Sequence, residues 1–558
     1  MLTRFRPIGA ASATRVRLPR SHVQGGIWSS AAYAIAALAL VPLAAILWAL
    51  PAGGLAAWGD ISTTLLPKYV LNTGALMLIT GALTALMGIS TAWLVSAARF
   101  PGRGILAWAL VLPLAVPAYI AAYIYADLLD FSGPVQSGLR SLFGWSAGEY
   151  NFPAIRSLPG AALVLSLVLY PYVYLLSRTA FAAQSMSQFC AARTLGLTPA
   201  RAFWRVALPS ARPAIAGGLA LVLMETLADF GVAEYFGVPT FSTGIFRSWL
   251  AMGDKAAALK LAGVMLVFVI VLVALEASSR RGQVDAKDAI ADDNALIELS
   301  GGKAALASLI CALPVLLGFG LPVVILLGHA VDQAGFESVS DLWSYAADSL
   351  KLAASTSIIA AIAAVLLAYA QRQSVRRSAH AAVRLSTLGY ALPGALLAVG
   401  MLAPLGGFDQ SLTRFARDTF GWTGGLILAG TSIILIYALV VRFLTVAFNS
   451  VSAGMGKLPR QVDAAARSLG AGPGRVMRQI HLPQLRFSIA AGAALVFIDT
   501  LRELPATLIL RPFNLETLAT RVYRLASDER LAEASTAALV ILAVGLIPVM
   551  MLSRASKR

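Results

Sequence analysis

Ala191-Ala192-Arg193-Thr194-Leu195-Gly196, nine further residues and then Val206-Ala207-Leu208-Pro209 form a stretch that returns later in the chain. The second copy reads Ala465-Ala466-Arg467-Ser468-Leu469-Gly470, nine residues, and Ile480-His481-Leu482-Pro483. The same offset of 274 residues separates the two glycines (196 to 470) and the two prolines (209 to 483). Both copies are polar and arginine-bearing, and both sit between long apolar stretches. A polar loop repeated at about half the chain length, between apolar stretches, marks an internally duplicated membrane protein.

The local chemistry of the loop predicts a helix–turn–helix. Paired alanines let a short helix pack closely against another surface. The glycine three residues after Arg193 or Arg467 suits a helix stop, because it accepts positive φ. Thr198-Pro199 reads as an N-cap followed by proline in the first turn, and Gly472-Pro473 takes the same place in the second copy. Pro209 and Pro483 are expected to break the backbone before the next span. Arginines at 193, 201 and 205, and at 467, 475 and 478, would then line a rigid cytoplasmic projection. One copy alone would read as an ordinary basic loop. Two copies in register imply a shared task.

Composition agrees with membrane embedding. Of 558 residues, 58% are hydrophobic and 13% charged, against about 25% charged in soluble proteins. The net charge of +17 does not imply nucleic acid, because the basic residues are scattered in short segments between apolar stretches. Cys190 and Cys311 are the two cysteines, and a disulfide or thiolate metal site is not expected. The four histidines lie far apart, without metal-ligand spacing.

Stretches of about 20 apolar residues are long enough to cross a bilayer. About twelve occur, near 28–50, 69–97, 105–128, 160–184, 214–236, 257–278, 305–330, 347–370, 383–405, 425–449, 487–508 and 532–553. The expected fold is therefore an all-α polytopic membrane protein with about twelve transmembrane helices. Residues 1–27 hold five arginines and no acid, and the apolar stretch after them is too long for a signal peptide. With that basic N-terminus cytoplasmic, most of the 44 Lys and Arg fall in cytoplasmic segments or helix ends, and most of the 27 Asp and Glu do not. An even number of spans returns residues 554–558 to the cytoplasm. The charged segment 279–304 is the expected linker between a first repeat, 28–278, and a second, 305–553. Six spans per half give both halves the same sidedness, so the repeats are parallel.

A second element repeats at the same offset. Glu225-Thr226-Leu227-Ala228-Asp229 aligns with Asp499-Thr500-Leu501-Arg502-Glu503. Each copy spaces two carboxylates at i and i+4, which predicts one shared helix face. A charge at the bilayer centre costs roughly 2.5–3.5 kcal/mol on insertion scales, so these acids should face protein or water. They either line the route between the halves, where hard oxygen ligands suit a hard cation, or pair with Arg502, helix ends and hydroxyls for structural reasons. Pro113, Pro117, Tyr170-Pro171-Tyr172 and Tyr390-Ala391-Leu392-Pro393-Gly394 mark expected kinks.

The repeated loop resembles the Glu-Ala-Ala–x3–Gly–x9–Ile–x–Leu-Pro loop of ABC importer permeases. Ala191, Ala192, Gly196, Leu208 and Pro209 match it in the first copy, and Ala465, Ala466, Gly470, Leu482 and Pro483 in the second. Cys190 and Ala464 stand where that family often has Glu, and Asp463 lies one residue earlier in the second copy only. Asp229-Phe230-Gly231, Tyr235-Phe236-Gly237-Val238 and Thr240-Phe241 are similar to ferric-iron permeases. So are Glu503-Leu504-Pro505-Ala506-Thr507 and Leu510-Arg511-Pro512-Phe513-Asn514, as is the fusion of two halves in one chain. Fused thiamine and 2-aminophosphonate permeases share the general plan. The resemblance implies a coupling helix in each loop, two copies of a cytoplasmic ATPase that carries ATP and Mg, and a periplasmic substrate-binding protein. It also implies a bacterial inner-membrane location.

No phosphate-binding Gly-x4-Gly-Lys-Ser/Thr loop occurs. Gly302-Lys303-Ala304 and Gly456-Lys457-Leu458 both lack the hydroxyl. The chain is thus expected to be a translocation subunit without its own cofactor or enzyme activity. An ion-coupled secondary transporter using acids 225, 229, 499 and 503 is one rival reading. A membrane scaffold without transport is another. Neither explains the paired loops.

Overall fold

The computed structural model describes residues 26–51, 63, 65–146, 148–182, 186–280, 297–332, 339–374 and 376–555. The expected N-terminal arm up to residue 25, most of the linker 279–304, and residues 556–558 lie outside the described residues.

Water-free surroundings leave helices as the economical way to satisfy backbone groups in a bilayer, and the apolar stretches form them. The first half runs α1 (Gly26–Ala49), α2 (Leu66–Ala97), α3 (Arg103–Ala109), α4 (Ala118–Leu129), α5 (Pro134–Phe143) and α6 (Leu158–Ala180). It continues with α7 (Met186–Thr194), α8 (Pro199–Ala202), α9 (Leu208–Ala228), α10 (Gly231–Tyr235), α11 (Phe241–Phe246) and α12 (Lys255–Arg280). The second half opens with α13 (Gly302–Val315), α14 (Leu321–Asp332), α15 (Val339–Gln373), α16 (Arg377–Ser386), α17 (Gly394–Phe420) and α18 (Ile433–Gly456). It ends with α19 (Arg460–Ser468), α20 (Pro473–Val476), α21 (Leu482–Arg502), α22 (Pro505–Leu510), α23 (Leu518–Ser527) and α24 (Leu531–Ala555). Helices α7, α8 and α9 begin and end 274 residues before α19, α20 and α21, so the duplication holds at single-residue precision.

Ten described helices are long and apolar enough to cross a bilayer, and a bent pair, Arg103–Ala115 with Ala118–Phe143, makes eleven. The apolar run Leu531–Ile547 takes the place of the twelfth expected span. Several expected spans are not single rods. The one near 105–128 turns by 92° around Val116-Pro117. The one near 383–405 is interrupted by a 3-10 turn, Gly389–Ala391, before Pro393 starts α17. Those near 214–236 and 487–508 stop being helical at Asp229 and Glu503. The helix expected from 425 starts at Ile433.

Each half has a three-helix centre, α2–α6–α9 and α15–α18–α21. Small residues let the backbones approach, as is usual between membrane helices. A Cβ on Gly218 would meet Val173 Cα at 2.8 Å, and one on Gly492 would meet Ala447 Cα at 3.2 Å. These two glycines are also 274 residues apart.

The opening helices are exchanged between halves. Helix α1 packs on α15, α16 and α17, and α13–α14 pack on α2, α3, α4 and α6. A two-residue parallel pairing, Ala98–Arg99 with Ile297–Glu298, ties the chain entering the second half to the end of α2.

Candidate functional site

Two places gather the residues the sequence singles out. The first is the pair of polar loops. Gly196 has φ +88° and Gly470 φ +79°, the left-handed region that glycine enters without a Cβ clash. Around them, Gly196 N donates to Arg193 O (3.0 Å) and Leu197 N to Ala192 O (3.1 Å). Gly470 N donates to Arg467 O (3.0 Å) and Ala471 N to Ala466 O (3.0 Å). This is a Schellman closure in both copies, and it accounts for the fixed spacing between the alanines and the glycine. Thr198 Oγ1 caps α8 by accepting from Arg201 N at 3.4 Å. Ala192 and Ala466 are buried, while Ala191 and Ala465 face outward.

The chain does not break at Pro209 or Pro483 as expected. Each loop re-enters its span through one π-turn, Phe203–Ala207 or Met477–His481, and the prolines sit in the first turn of α9 and α21. The wide turn leaves backbone donors without ordinary helical partners. A proline, which has no N–H, loses little there.

The loops carry a feature the sequence reading passed over. Leu195 and Leu469 are 85% and 86% exposed at matching positions, next to the exposed Ala191 and Ala465. The signal was present in the repeat itself, since each leucine directly precedes its loop's glycine at the shared offset.

Beneath the loops the two halves differ. Under the first, Trp93 stacks edge-on or tilted against Phe181, Phe189 and Phe203 at 4.9–5.3 Å between ring centres. Under the second, the position equivalent to Phe189 is Asp463, buried and within 2.7 Å of Arg372 Nε. Arg372 also donates to the carbonyls of Met455, Leu458 and Pro459. His481 Nε2 lies 2.8 Å from the other Asp463 oxygen, a close pairing without hydrogen-bond alignment. Tyr369 Oη donates to Pro473 O at 2.7 Å. Asp463 therefore points into the protein and makes no outward contact.

The second place is a cavity of about 180 Å³ between the halves. All four repeated acids line it, with Tyr119, Tyr172, Tyr390, Arg442 and Arg502. Glu225 follows Leu208 by 17 residues along α9, so it lies roughly 25 Å from the π-turn at about 1.5 Å per residue.

The acids do not share helix faces as the i,i+4 spacing predicts. Asp229 and Glu503 are the residues at which α9 and α21 end, with extended backbone (ψ 133° and 125°). Their carboxylates then cap the next short helix. Asp229 Oδ2 accepts from Ala233 N at 3.0 Å. Glu503 accepts from Ala506 N and Thr507 N, both at 2.9 Å, and from Thr507 Oγ1 at 2.8 Å. A helix restarted inside a membrane protein exposes unpaired N–H groups, and a carboxylate satisfies them.

The two halves also differ in charge here. Arg442 Nη1 is 3.2 Å from Glu503 Oε1. Arg502 pairs with Asp499 and donates to Leu114 O at 2.9 Å, across to the first half. The equivalent first-half positions, Val168 and Ala228, line the same cavity without charge. Glu225 accepts from Tyr390 Oη at 3.2 Å and lies within electrostatic reach of Arg442 and Arg502, but among the described residues neither it nor Asp229 makes an ion pair within 4 Å. Arg442 was legible as the one charge inside the apolar helix Ile433–Gly456. Among the described residues no three His, Cys, Asp or Glu converge in a metal cage.

The family described as "Binding-protein-dependent transport system inner membrane component" matches residues 84–281 and again 357–558. The Fe(3+)-transport system permease protein FbpB 2 of Haemophilus influenzae is 24% identical over 502 residues, 88% of this chain and 89% of that protein. The sulfate transport system permease protein CysT of Salmonella typhimurium is 26% identical over 35% of this chain and 68% of its own length. The molybdenum transport system permease protein ModB of Haemophilus influenzae is 28% identical over 27% of this chain and 62% of its own. The two matched segments cover most of the chain and coincide with its two halves, so the protein belongs to the family of inner-membrane permease components of binding-protein-dependent transport systems.

Proposed function

We propose that this permease moves ferric iron inward, driven by ATP hydrolysis in a separate subunit. The observation that carries the substrate is the cavity wall, where four carboxylates face two guanidiniums. Carboxylate oxygens are hard ligands suited to a hard cation. The near-full-length similarity to an iron permease supports the same reading. The similarity of about a third of the chain to sulfate and molybdenum permeases favours an oxyanion as the second reading. Arg442 and Arg502 are already engaged by Glu503 and Asp499, and Glu225 and Asp229 would repel an anion.

Each loop would dock on one copy of a cytoplasmic ABC ATPase, which binds the ATP and Mg. Ala191, Ala192, Gly196, Leu208 and Pro209 would serve one docking site, and Ala465, Ala466, Gly470, Leu482 and Pro483 the other. Leu195 and Leu469 would be the apolar contacts. A periplasmic binding protein would deliver substrate to the outer face, with both termini cytoplasmic and repeats at 28–278 and 305–553. Nucleotide-driven closure of the ATPases would shift the halves between outward-open and inward-open populations.

Reconstitution of the permease with its ATPase and binding protein tests this. Ferric-iron uptake that requires ATP and is indifferent to excess sulfate or molybdate is the expected result. Sulfate or molybdate uptake without iron movement would keep the importer and replace its substrate. Iron uptake without ATP or ATPase would favour the ion-coupled transporter.

A further inference from the structure

We propose that a basic pocket where α15, α16, α18 and α19 meet binds the phosphate of an anionic phospholipid headgroup. The proposal depends on the second loop being cytoplasmic and not on which substrate the permease carries.

The pocket has a volume of about 350 Å³, and its polar lining is Gln371, Arg372, His380, Ser452 and Arg460. No carboxylate lines it. The chain has no Asp or Glu from 349 to 408 or from 419 to 462, while Arg372, Arg376, Arg377, Lys457 and Arg460 fall at the helix ends around the pocket. Asp463 follows, but it is buried and engaged by Arg372. Arg372 also donates to the carbonyls of Met455, Leu458 and Pro459, so it fixes the pocket floor. Arg460 is exposed and His380 partly buried, and neither makes an ion pair among the described residues. An anion entering the pocket meets Arg460, Gln371 and Ser452 as donors, beside His380.

Positive charge at a cytoplasmic helix end is ordinary in a membrane protein. Two further observations single this place out. The first is the duplication. Arg372, His380 and Arg460 correspond at the 274-residue offset to Ala98, Leu106 and Met186, so the shared fold does not need charge here. The second is depth. Trp28 meets Tyr369 edge-on at 4.8 Å between ring centres, one turn before Arg372, and Trp and Tyr gather at the level of the headgroups. Leu385, 41% exposed on the same helix as His380, offers apolar surface for an acyl chain. Basic pockets between membrane helices on the cytoplasmic side suit anionic headgroups.

The test places the full chain in nanodiscs of phosphatidylcholine, alone or mixed with phosphatidylglycerol. It reads the thermal midpoint and the lipid retained in native mass spectrometry. Phosphatidylglycerol should raise the midpoint by several degrees and stay bound as one molecule per chain. The variant Arg460→Gln, His380→Gln should retain it about fivefold less and lose the shift. Its midpoint in phosphatidylcholine alone should match wild type, which separates lost binding from misfolding. Arg201→Gln with Arg205→Gln removes charge from the other loop and should leave both readouts as in wild type. Equal losses in the two variants would reduce the effect to bulk charge and overturn the site, as would wild-type retention in the first. Inorganic phosphate that protects the chain equally in phosphatidylcholine nanodiscs would overturn the lipid as the source of the phosphate. Neither readout involves iron, ATP or the ATPase, so a failure here is distinct from a failure of the ferric-iron reading.

Discussion

The two halves share a backbone and differ in what fills it. From α7 to α9 and from α19 to α21 every helix end, both glycine turns and both π-turns coincide at one offset. Yet the first loop rests on four aromatic rings and the second on a buried Arg372–Asp463–His481 group. In the cavity the first-half carboxylates are held by hydrogen bonds alone, and the second-half carboxylates are each ion-paired with an arginine. A duplicated fold thus keeps the geometry that both copies need and lets the side-chain chemistry diverge. We infer that the shared part serves coupling, which each ATPase would require equally, and that the divergent part serves substrate, which passes once between unlike walls.

The difference beneath the loops yields the largest expected effects. Asp463→Ala would leave Arg372 buried without its carboxylate, at a cost of about 3–5 kcal/mol. The second loop should then loosen, seen as a lower thermal midpoint and loss of ATPase co-purification. Adding Arg372→Met should restore most of that stability, because an apolar replacement of a whole buried pair is often neutral. Failure of the second change to rescue the first would show that the pair is not what holds the loop. Phe189→Ala removes a packed ring and should also cost about 3–5 kcal/mol. No polar rescue is expected there.

Making the halves alike in the cavity is the next test. Ala228→Arg copies the second-half arrangement and gives Glu225 a partner three residues along, as Arg502 gives Asp499. Iron uptake should fall about tenfold while the complex still assembles. Unchanged uptake would mean that the absence of an ion pair on the first-half acids does not matter for transport.

The glycine turns should respond equally. Gly196→Ala and Gly470→Ala each force a Cβ into left-handed backbone, at roughly 1–2 kcal/mol. Similar losses of ATP-dependent uptake are expected from both, and a strong inequality would end the equivalence drawn for the loops. Smallest on the permease itself are Leu195→Ala and Leu469→Ala. Exposed positions of this kind move stability by about 0.5 kcal/mol or less. Their effect should appear instead as weaker ATPase binding in a titration, to a similar extent at the two sites.

Much of this was legible before the structure. The repeat, the glycine turns, the Thr198 cap on the second helix of the first loop and the membrane class follow from spacing and composition. What escaped has identifiable causes. The i,i+4 spacing of Glu225 and Asp229 fits a continuous helix, and nothing at Asp229 or Phe230 signals a stop, although Pro505 does so in the second copy. Pro209 and Pro483 read as breaks because a π-turn has no sequence signature of its own. The exchange of α1 and α13–α14 between halves depends on packing that hydropathy does not encode. Tyr172 was legible only as part of a kink and Tyr119 carried no signal of its own, because the bend at Pro117 and the helix end at Asp229 that bring both to one cavity are tertiary features.

ATP-driven ferric-iron transport through this chain is read out by iron uptake into proteoliposomes holding the permease, its ATPase and its binding protein. The expected result is uptake that needs ATP and all three components, and that collapses when Gly196 and Gly470 are both replaced by valine. Iron uptake that proceeds at the same rate without ATP, or that survives the double glycine replacement in an assembled complex, would contradict it.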